Sequence, residues 1–253
     1  MTGVQTCALP IWGLLEQLPG QKLLTTNSGD LLSSLPLNQV RRLVRRQHDI
    51  LCHQLGGERY SSDDLRKIAF HVRINRPMSM FARCWLLVEG ETEIWLLSEL
   101  AQICGYSLRA EGVRIIEFAQ CGQAPLIKVA RDFGIEWHLL TDGDEAGAKY
   151  ASSARSLLKG ERERDRITQL PSADIEHYLY HNGFEAVFRR EAGVGGRSTL
   201  NAGRIISKAI HHRSKPGLAL AVVEEAERLG SEHIPPMLKQ MFARVVALAR
   251  GQS

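Results

Sequence analysis

Four short apolar runs mark the middle of the chain: residues 84–88 (CWLLV), 113–119 (VRIIEFA), 136–141 (EWHLLT) and 166–170 (RITQL). Between them, residues 92–103, 124–133 and 145–158 carry apolar positions at helical spacing. Short β-prone runs alternating with 10–15-residue helical segments predict βαβ units with right-handed crossovers. The expected fold class is therefore α/β, with a mostly parallel four-stranded sheet flanked by helices. Upstream, Lys22 to Thr26 (KLLTT) reads as a strand, residues 31–35 as a short helix before Pro36, and residues 38–46 as a basic stretch whose Arg41, Arg42, Arg45 and Arg46 form a solvated face. Ser61, Ser62, Asp63 and Asp64 make a helix N-cap cluster. The apolar positions Leu65, Ile68, Ala69 and Val72 follow it, predicting a helical connector that ends before Pro77. Beyond Pro171 the spacing turns helical throughout, over residues 174–181, 199–210, 218–229 and 236–250. The last of these carries a core stripe of Met237, Met241, Val245 and Leu248.

Composition narrows the class without deciding the function. The chain has 253 residues, 44% hydrophobic and 24% charged, with a formal charge of +4. No apolar run approaches the roughly 18 residues needed to cross a bilayer, so no membrane partner is expected. Five cysteines (Cys7, Cys52, Cys84, Cys104, Cys121) show no Cys-x-x-Cys pair, which reads as reduced thiols in a cytoplasmic protein. Residues 1–12 (MTGVQTCALPIW) lack the organisation of a signal peptide and resemble a translated sequencing adapter, so the natural sequence is expected to begin near Gly13. No Gly-x-x-x-x-Gly-Lys-Ser/Thr segment occurs, so the chain alone is not expected to bind ATP.

The candidate chemistry lies where acids follow the predicted strands. Glu89, Glu91 and Glu93 (VEGETE) follow the first, with Gly90 allowing a sharp turn and Glu93 one helical turn beyond Glu89. Asp142, Asp144 and Glu145 (TDGDEAG) follow the third. In a parallel α/β sheet both ends fall on the edge where ligands bind. Carboxylates gathered there repel one another unless protonated or bridged by cations, and hard oxygen donors in this number favour magnesium or manganese over zinc. Singly, Glu91, Glu93 and Glu145 are also ordinary first-turn acids and Asp-Gly-Asp an ordinary turn. An EF-hand does not fit, because Ala146 and Ser153 stand at loop positions five and twelve and a strand precedes the loop.

These motifs resemble the Toprim domain shared by topoisomerases, primases and certain nucleases. From about Gly13 onward the sequence is similar to the OLD (overcoming lysogenization defect) family of ATP-dependent endonucleases, in which an ABC-type ATPase precedes Toprim. LLTTNSGDLLSSLP (residues 23–36) resembles the end of that ATPase, with Asn27 where the family has a switch histidine. The resemblance implies an order of 1–12 non-native segment, 13–50 ATPase remnant, 51–80 helical connector, 81–180 Toprim core and 181–253 helical C-terminal part. It implies Glu89, Glu93, Asp142 and Asp144 as metal ligands. LPSADIE (residues 170–176) resembles the third acidic motif, in which Glu176 is a ligand with Ser172 or Asp174 assisting. Taken alone, Ser172 reads as a helix N-cap and Glu176 as a first-turn acid. A transition-state lysine is also implied, Lys215 or behind it Lys208.

The implied activity is magnesium- or manganese-dependent DNA endonuclease chemistry with two ions, with Glu89, Asp142 and Lys215 catalytic. ATP would act only through a preceding ATPase part, and the intact protein is expected to form a homodimer. The alternatives are a non-catalytic DNA-binding or regulatory module and a primase-like phosphotransfer enzyme. Outside this set, Gly193, Val194, Gly195 and Gly196 read as a flexible loop, His48, His53, His211 and His212 as surface residues, and residues 161–165 as a wet loop. Arg189, Arg190, Arg197, Arg204 and Arg213 are either a solvated surface or a DNA-tracking face.

Overall fold

The computed structural model describes residues 8–46, 49–56, 60–74, 76–195 and 199–252. In chain order it contains α1 (Ala8–Gln17), α2 (Gly29–Ser34), β1 (Arg42–Arg46), β2 (Asp49–His53), α3 (Ser62–Ile68), β3 (Cys84–Val88), α4 (Glu91–Ile103), β4 (Val113–Glu117), α5 (Gln123–Asp132), β5 (Glu136–Thr141), α6 (Glu145–Ser156), α7 (Glu163–Arg166), β6 (Ile167–Gln169), α8 (Ile175–Leu179), α9 (Glu185–Glu191), α10 (Ala202–Leu229) and α11 (Pro236–Arg250). The central sheet has the order β4-β3-β5-β6, and all its described pairings are parallel. The α/β class with a four-stranded parallel sheet is as expected.

Both faces of the sheet are covered, which is why its strands are continuous apolar runs rather than alternating ones. Cys84, Leu86 and Val88 face one core with Leu140, α4 and the helices from α8 to α11. Trp85, Leu87, Trp137 and Leu139 face a second core with α3, α5 and α6. The C-terminal helices thus form one of the two outer layers. Met241, Val245 and Leu248 of the predicted stripe are buried in that layer, with Met237 partly buried.

Several local expectations are corrected. KLLTT is no strand: residues 21–28 are irregular, and Leu23 is 94% exposed because no neighbouring strand pairs with it. The basic stretch instead enters an antiparallel hairpin, β1 with β2, in register Leu43 to Cys52. Its arginines are not uniformly solvated. Arg42 donates to the carbonyls of Phe133 (2.6 Å), Gly134 (2.9 Å) and Ala82 (2.7 Å), satisfying the carboxyl end of α5. Asp132 at the same end accepts from Gly56 N–H and from Tyr60 O–H, both at 2.8 Å. His53 is not a free surface residue, since its ring packs where a Cβ on Gly134 would lie. The expected wet loop runs into α7, with Glu161 paired to Arg131 at 2.6 Å and Arg162 to Asp165 at 2.7 Å. His48 and Arg197 lie outside the described residues, as do the side chains of Arg46 and Arg73.

The capping cluster is as read: Ser61 and Asp64 form a reciprocal capping box at the start of α3. The two helices expected over 199–229 are joined as α10 but broken at Ser214, at φ 65° and ψ 162°. The second half begins at Lys215-Pro216, where a proline needs no partner for its missing N–H.

Inside the sheet, His138 is wholly buried between the carbonyl of Asp165 (Nδ1, 3.0 Å) and the hydroxyl of Thr168 (Nε2, 2.9 Å). A carbonyl only accepts, so Nδ1 carries the proton and Nε2 accepts from Thr168; the ring is held neutral. Burial pushes its pKa down to about 4. As pH falls through about 6.5 the unfolded chain takes up a proton that the folded chain refuses until about pH 4, so stability falls across that window. Urea denaturation at a series of pH values should show His138→Gln less stable at pH 7 but with a shallower acid limb, flatter by about 1.4 kcal/mol per pH unit between these limits. Identical slopes in both proteins would contradict a neutral buried His138.

Candidate metal centre

The carboxyl ends of β3 and β5 are adjacent because the two strands pair directly, and β6 lies next to β5. Each is followed by acids. Glu89 closes β3, and Gly90 and Glu91 open α4, whose first turn carries Glu93. Gly90 is extended, at φ −128° and ψ 169°, so it is not needed for a left-handed turn. What it provides is space: a Cβ there would lie 3.0 Å from Glu93 Oε2, which folds back over the loop.

After β5, the chain passes Asp142 and Gly143 to Asp144, the N-cap of α6, whose Oδ1 accepts from Gly147 N–H at 2.7 Å. Two glycines let this loop close. A Cβ on Gly147 would fall 2.1 Å from the carbonyl oxygen of Asp142, and one on Gly143 would fall 2.4 Å from that of Leu170 and 2.5 Å from that of Ser172. Gly143 N–H donates to the Ser172 carbonyl at 2.9 Å, pinning the third acidic segment to the Asp-x-Asp loop. The N-cap of α8 is Asp174, not Ser172: its Oδ1 accepts from both the backbone N–H and the ring Nδ1–H of His177, each at 2.7 Å. Asp174 is extended and reaches the α8 N–H groups, whereas Ser172 is occupied through its backbone by Gly143.

These groups crowd one another, and each raises the pKa of its neighbours. Asp142 is pushed up to about 8, by burial first and then by repulsion from Glu89, Glu93, Asp174 and Glu176. Glu89 is raised by burial and by Asp144, with Lys215 opposing. Glu93 is raised by burial and further by Glu176 and Glu89, again against Lys215. Glu176 is only 7% exposed; its Oε1 pairs with Lys215 Nζ at 3.0 Å. Burial pulls Lys215 down, but Glu176, Asp174 and Glu93 outweigh it and its pKa is raised. Lys215 enters from the broken α10, immediately after Ser214. Lys208, the other candidate lysine, lies exposed in the first half of α10.

The structure therefore brings Glu89, Glu93, Asp142, Asp144, Asp174, Glu176 and Lys215 to one edge. Buried Glu89 Oε2 and Glu176 Oε2 have no hydrogen-bond partner among the described residues. Orphaned, mutually repelling carboxylate oxygens are what a hard divalent cation satisfies, so the donor set fits magnesium or manganese. Among the described residues, no three His, Cys, Asp or Glu side chains are drawn together tightly enough to hold an ion as they stand.

The sequence reading missed three features. Arg76 pairs with the buried Glu117 at the end of β4, and lies 3.7 Å from Glu91. His177 is oriented by Asp174, and Gly147 is held to glycine by backbone approach rather than by φ. The only available signal was Gly147 itself, three residues after a helix-capping aspartate.

A parallel α/β sheet with acids after its first and third strands is the arrangement of a Toprim-type domain. Residues 80–144 match the family described as "Overcoming lysogenization defect protein-like, TOPRIM domain", and residues 6–79 match a "Protein of unknown function (DUF2813)". The chain is an OLD-family, Toprim-containing protein. It is 53% identical over 244 residues to "Uncharacterized protein YbjD" of Escherichia coli (strain K12), an alignment covering 96% of this chain and 44% of that protein. The chain thus spans less than half the length of that relative. Its fold resembles the C-terminal region of the Burkholderia pseudomallei OLD protein, with TM-score 0.56 and 18% identity over 67% of this chain and 99% of that one. It also resembles the C-terminal region of the Xanthomonas campestris pv. campestris OLD protein, with TM-score 0.54 and 17% identity over 68% and 99%.

If repulsion strains the bare edge, relieving it should stabilise the metal-free protein. Asp142→Asn should raise the Tm in EDTA by roughly 2–4 °C, about 1 kcal/mol, and abolish the further rise that manganese gives the unaltered chain. A lower Tm in EDTA together with an intact manganese response would contradict this geometry.

Proposed function

We propose that the chain is the metal-dependent nuclease part of an OLD-family protein and hydrolyses phosphodiester bonds in DNA. The observation that carries this reading is the crowding of Glu89, Glu93, Asp174 and Glu176 around the elevated Asp142, with Lys215 ion-paired at its margin. Crowding of this kind destabilises an idle surface and suits a cation site.

In this reading Glu89, Glu93, Asp142, Asp144 and Glu176, with Ser172 or Asp174 assisting, hold two magnesium or manganese ions. Such ions would supply Lewis acidity, polarising an attacking water and the phosphoryl oxygens. The protein's own groups do the rest. The Gly143–Ser172 backbone contact keeps the second and third acidic segments in fixed relation. The buried ends of β3 and β5 hold Glu89 and Asp142 on rigid elements rather than on a free loop. Lys215 is half exposed and held by one ion pair, so its ammonium can be offered to a phosphoryl oxygen at the same edge, offsetting charge there. ATP dependence belongs, in this proposal, to parts of the longer protein outside this sequence.

Supercoiled plasmid incubated with the purified chain and manganese should be converted to nicked or linear forms. Glu89→Ala and Asp142→Ala should lower the rate at least about 100-fold, and Lys215→Ala by about 100-fold while keeping the manganese-induced rise in Tm. Undiminished cleavage by Asp142→Ala would rule this site out. Binding without cleavage in any divalent metal would mark a non-catalytic module, and nucleotide incorporation on a single-stranded template a primase-like enzyme.

A further inference from the structure

β4 is an edge strand of the sheet, and a cleft of about 260 Å³ runs beside it, lined by Arg76, Pro77, Met78, Ser79, Arg114 and Ile115. The cleft begins near the candidate metal centre: Arg76 is 3.7 Å from Glu91, the first residue of α4, and pairs with Glu117 at the carboxyl end of β4. Arg114 sits three residues back along the same strand, about 10 Å from Glu117 at the usual strand rise.

The two arginines differ in one respect. Arg76 is neutralised by Glu117 and Glu91. Arg114 has no carboxylate partner among the described residues; its Nη1 donates only to the carbonyls of Val113 (3.0 Å) and Arg109 (3.2 Å). Partial burial lowers its pKa, and the like charge of Arg109 lowers it further. Arg109 is exposed beside it. The remaining walls are apolar or backbone: Pro77, Met78 and Ile115, with the buried Ser79 turned inward, its carbonyl accepting from Trp85 Nε1–H at 2.9 Å. An arginine held partly out of water, next to a second arginine and without a counter-ion, lacks an anion to complete it.

We propose that the cleft formed by Arg76 and Arg114 binds a backbone phosphate of the DNA strand that passes over the candidate metal centre, with the exposed Arg109 adding to the positive charge beside Arg114. The proposal rests on the nuclease reading for its choice of DNA as ligand. Guanidinium groups match phosphate oxygens bidentately, and the apolar wall of Pro77 and Met78 lies against the sugar and base without selecting a sequence. A contact of this kind contributes affinity and salt dependence rather than specificity.

The test is fluorescence anisotropy of a labelled duplex DNA with the full chain in EDTA, over a series of salt concentrations, so that no cleavage enters the measurement. Arg114→Gln and Arg109→Gln should each weaken binding about three- to tenfold and reduce the slope of log K against log salt by about one, with Arg114→Lys largely retaining both. Arg228→Gln, at an exposed position of α10 where Arg228 pairs with Glu225, is the control and should change neither. All variants should keep the manganese-induced rise in Tm. Affinity and slope unchanged in both Arg114→Gln and Arg109→Gln would overturn the cleft and leave the nuclease reading standing. An equal loss in Arg228→Gln would overturn it too, by showing a diffuse charge effect. Failure of the unaltered chain to bind DNA, with or without manganese, would overturn both.

Discussion

Repulsion between carboxylates at the carboxyl edge of a buried parallel sheet is the constraint to which the surrounding structure responds. β3 and β5 are packed on both faces, so the acids that follow them cannot move apart by shifting their strands. The backbone between them is fixed as well, by the contact of Gly143 with Ser172 and by the approach of Gly147 to Asp142. What remains adjustable is charge. Asp142 answers by holding its proton to about pH 8, and Glu89 and Glu93 shift in the same direction.

The cations that offset this charge come from outside the sheet. Lys215 arrives from α10 at a point where the helix is broken, and Ser214 there is the only non-glycine residue at positive φ among the described residues. A serine at φ 65° and ψ 162° is in a region that glycine alone adopts easily, and holding it costs on the order of 1–3 kcal/mol. The flanking halves of α10 supply the restraint, burying Ile205, Ile206 and Ala209 on one side and Leu218, Val222 and Ala226 on the other. Strain at that bend and an ammonium 3.0 Å from Glu176 are consecutive residues, which ties the bend to the charge it delivers.

The sheet was legible in the sequence because strands buried on both faces read as short, largely apolar runs, and CWLLV and EWHLLT alternate with helical segments at the spacing of βαβ units. The acids were legible for a related reason: in a parallel sheet the ends of β3 and β5 must share an edge, so spacing alone placed Glu89 near Asp142. Lys215 was reached through family likeness rather than through spacing, since nothing local distinguishes it from Lys208. The hairpin of β1 and β2 was not legible, because RLVRR sets its two apolar residues side by side instead of alternating them with charge, and its register depends on a partner strand. Nor was Arg42 separable from its neighbours, since its role is set by the carbonyls at the end of α5, some 90 positions away. KLLTT failed in the opposite sense: its composition suits a strand, but β propensity expresses packing against neighbouring strands, and among the described residues none pairs with it.

The two matched regions meet at contacts that bear on the edge from both ends of the sheet. Arg42, Gly56 and Tyr60, from the region matching the family of unknown function, hold the carboxyl end of α5, which leads into β5 and so toward Asp142. Arg76, from the same region, reaches Glu91 and Glu117 beside the first acidic motif. On the other side Lys215 comes from the C-terminal helical layer. The sheet therefore supplies the negative charge, while the cations at its edge belong to the elements before and after it. A Toprim sheet stripped of either would keep its carboxylates and lose part of their compensation. The electrostatic state of this edge is for that reason a property of the packed chain rather than of its acidic motifs.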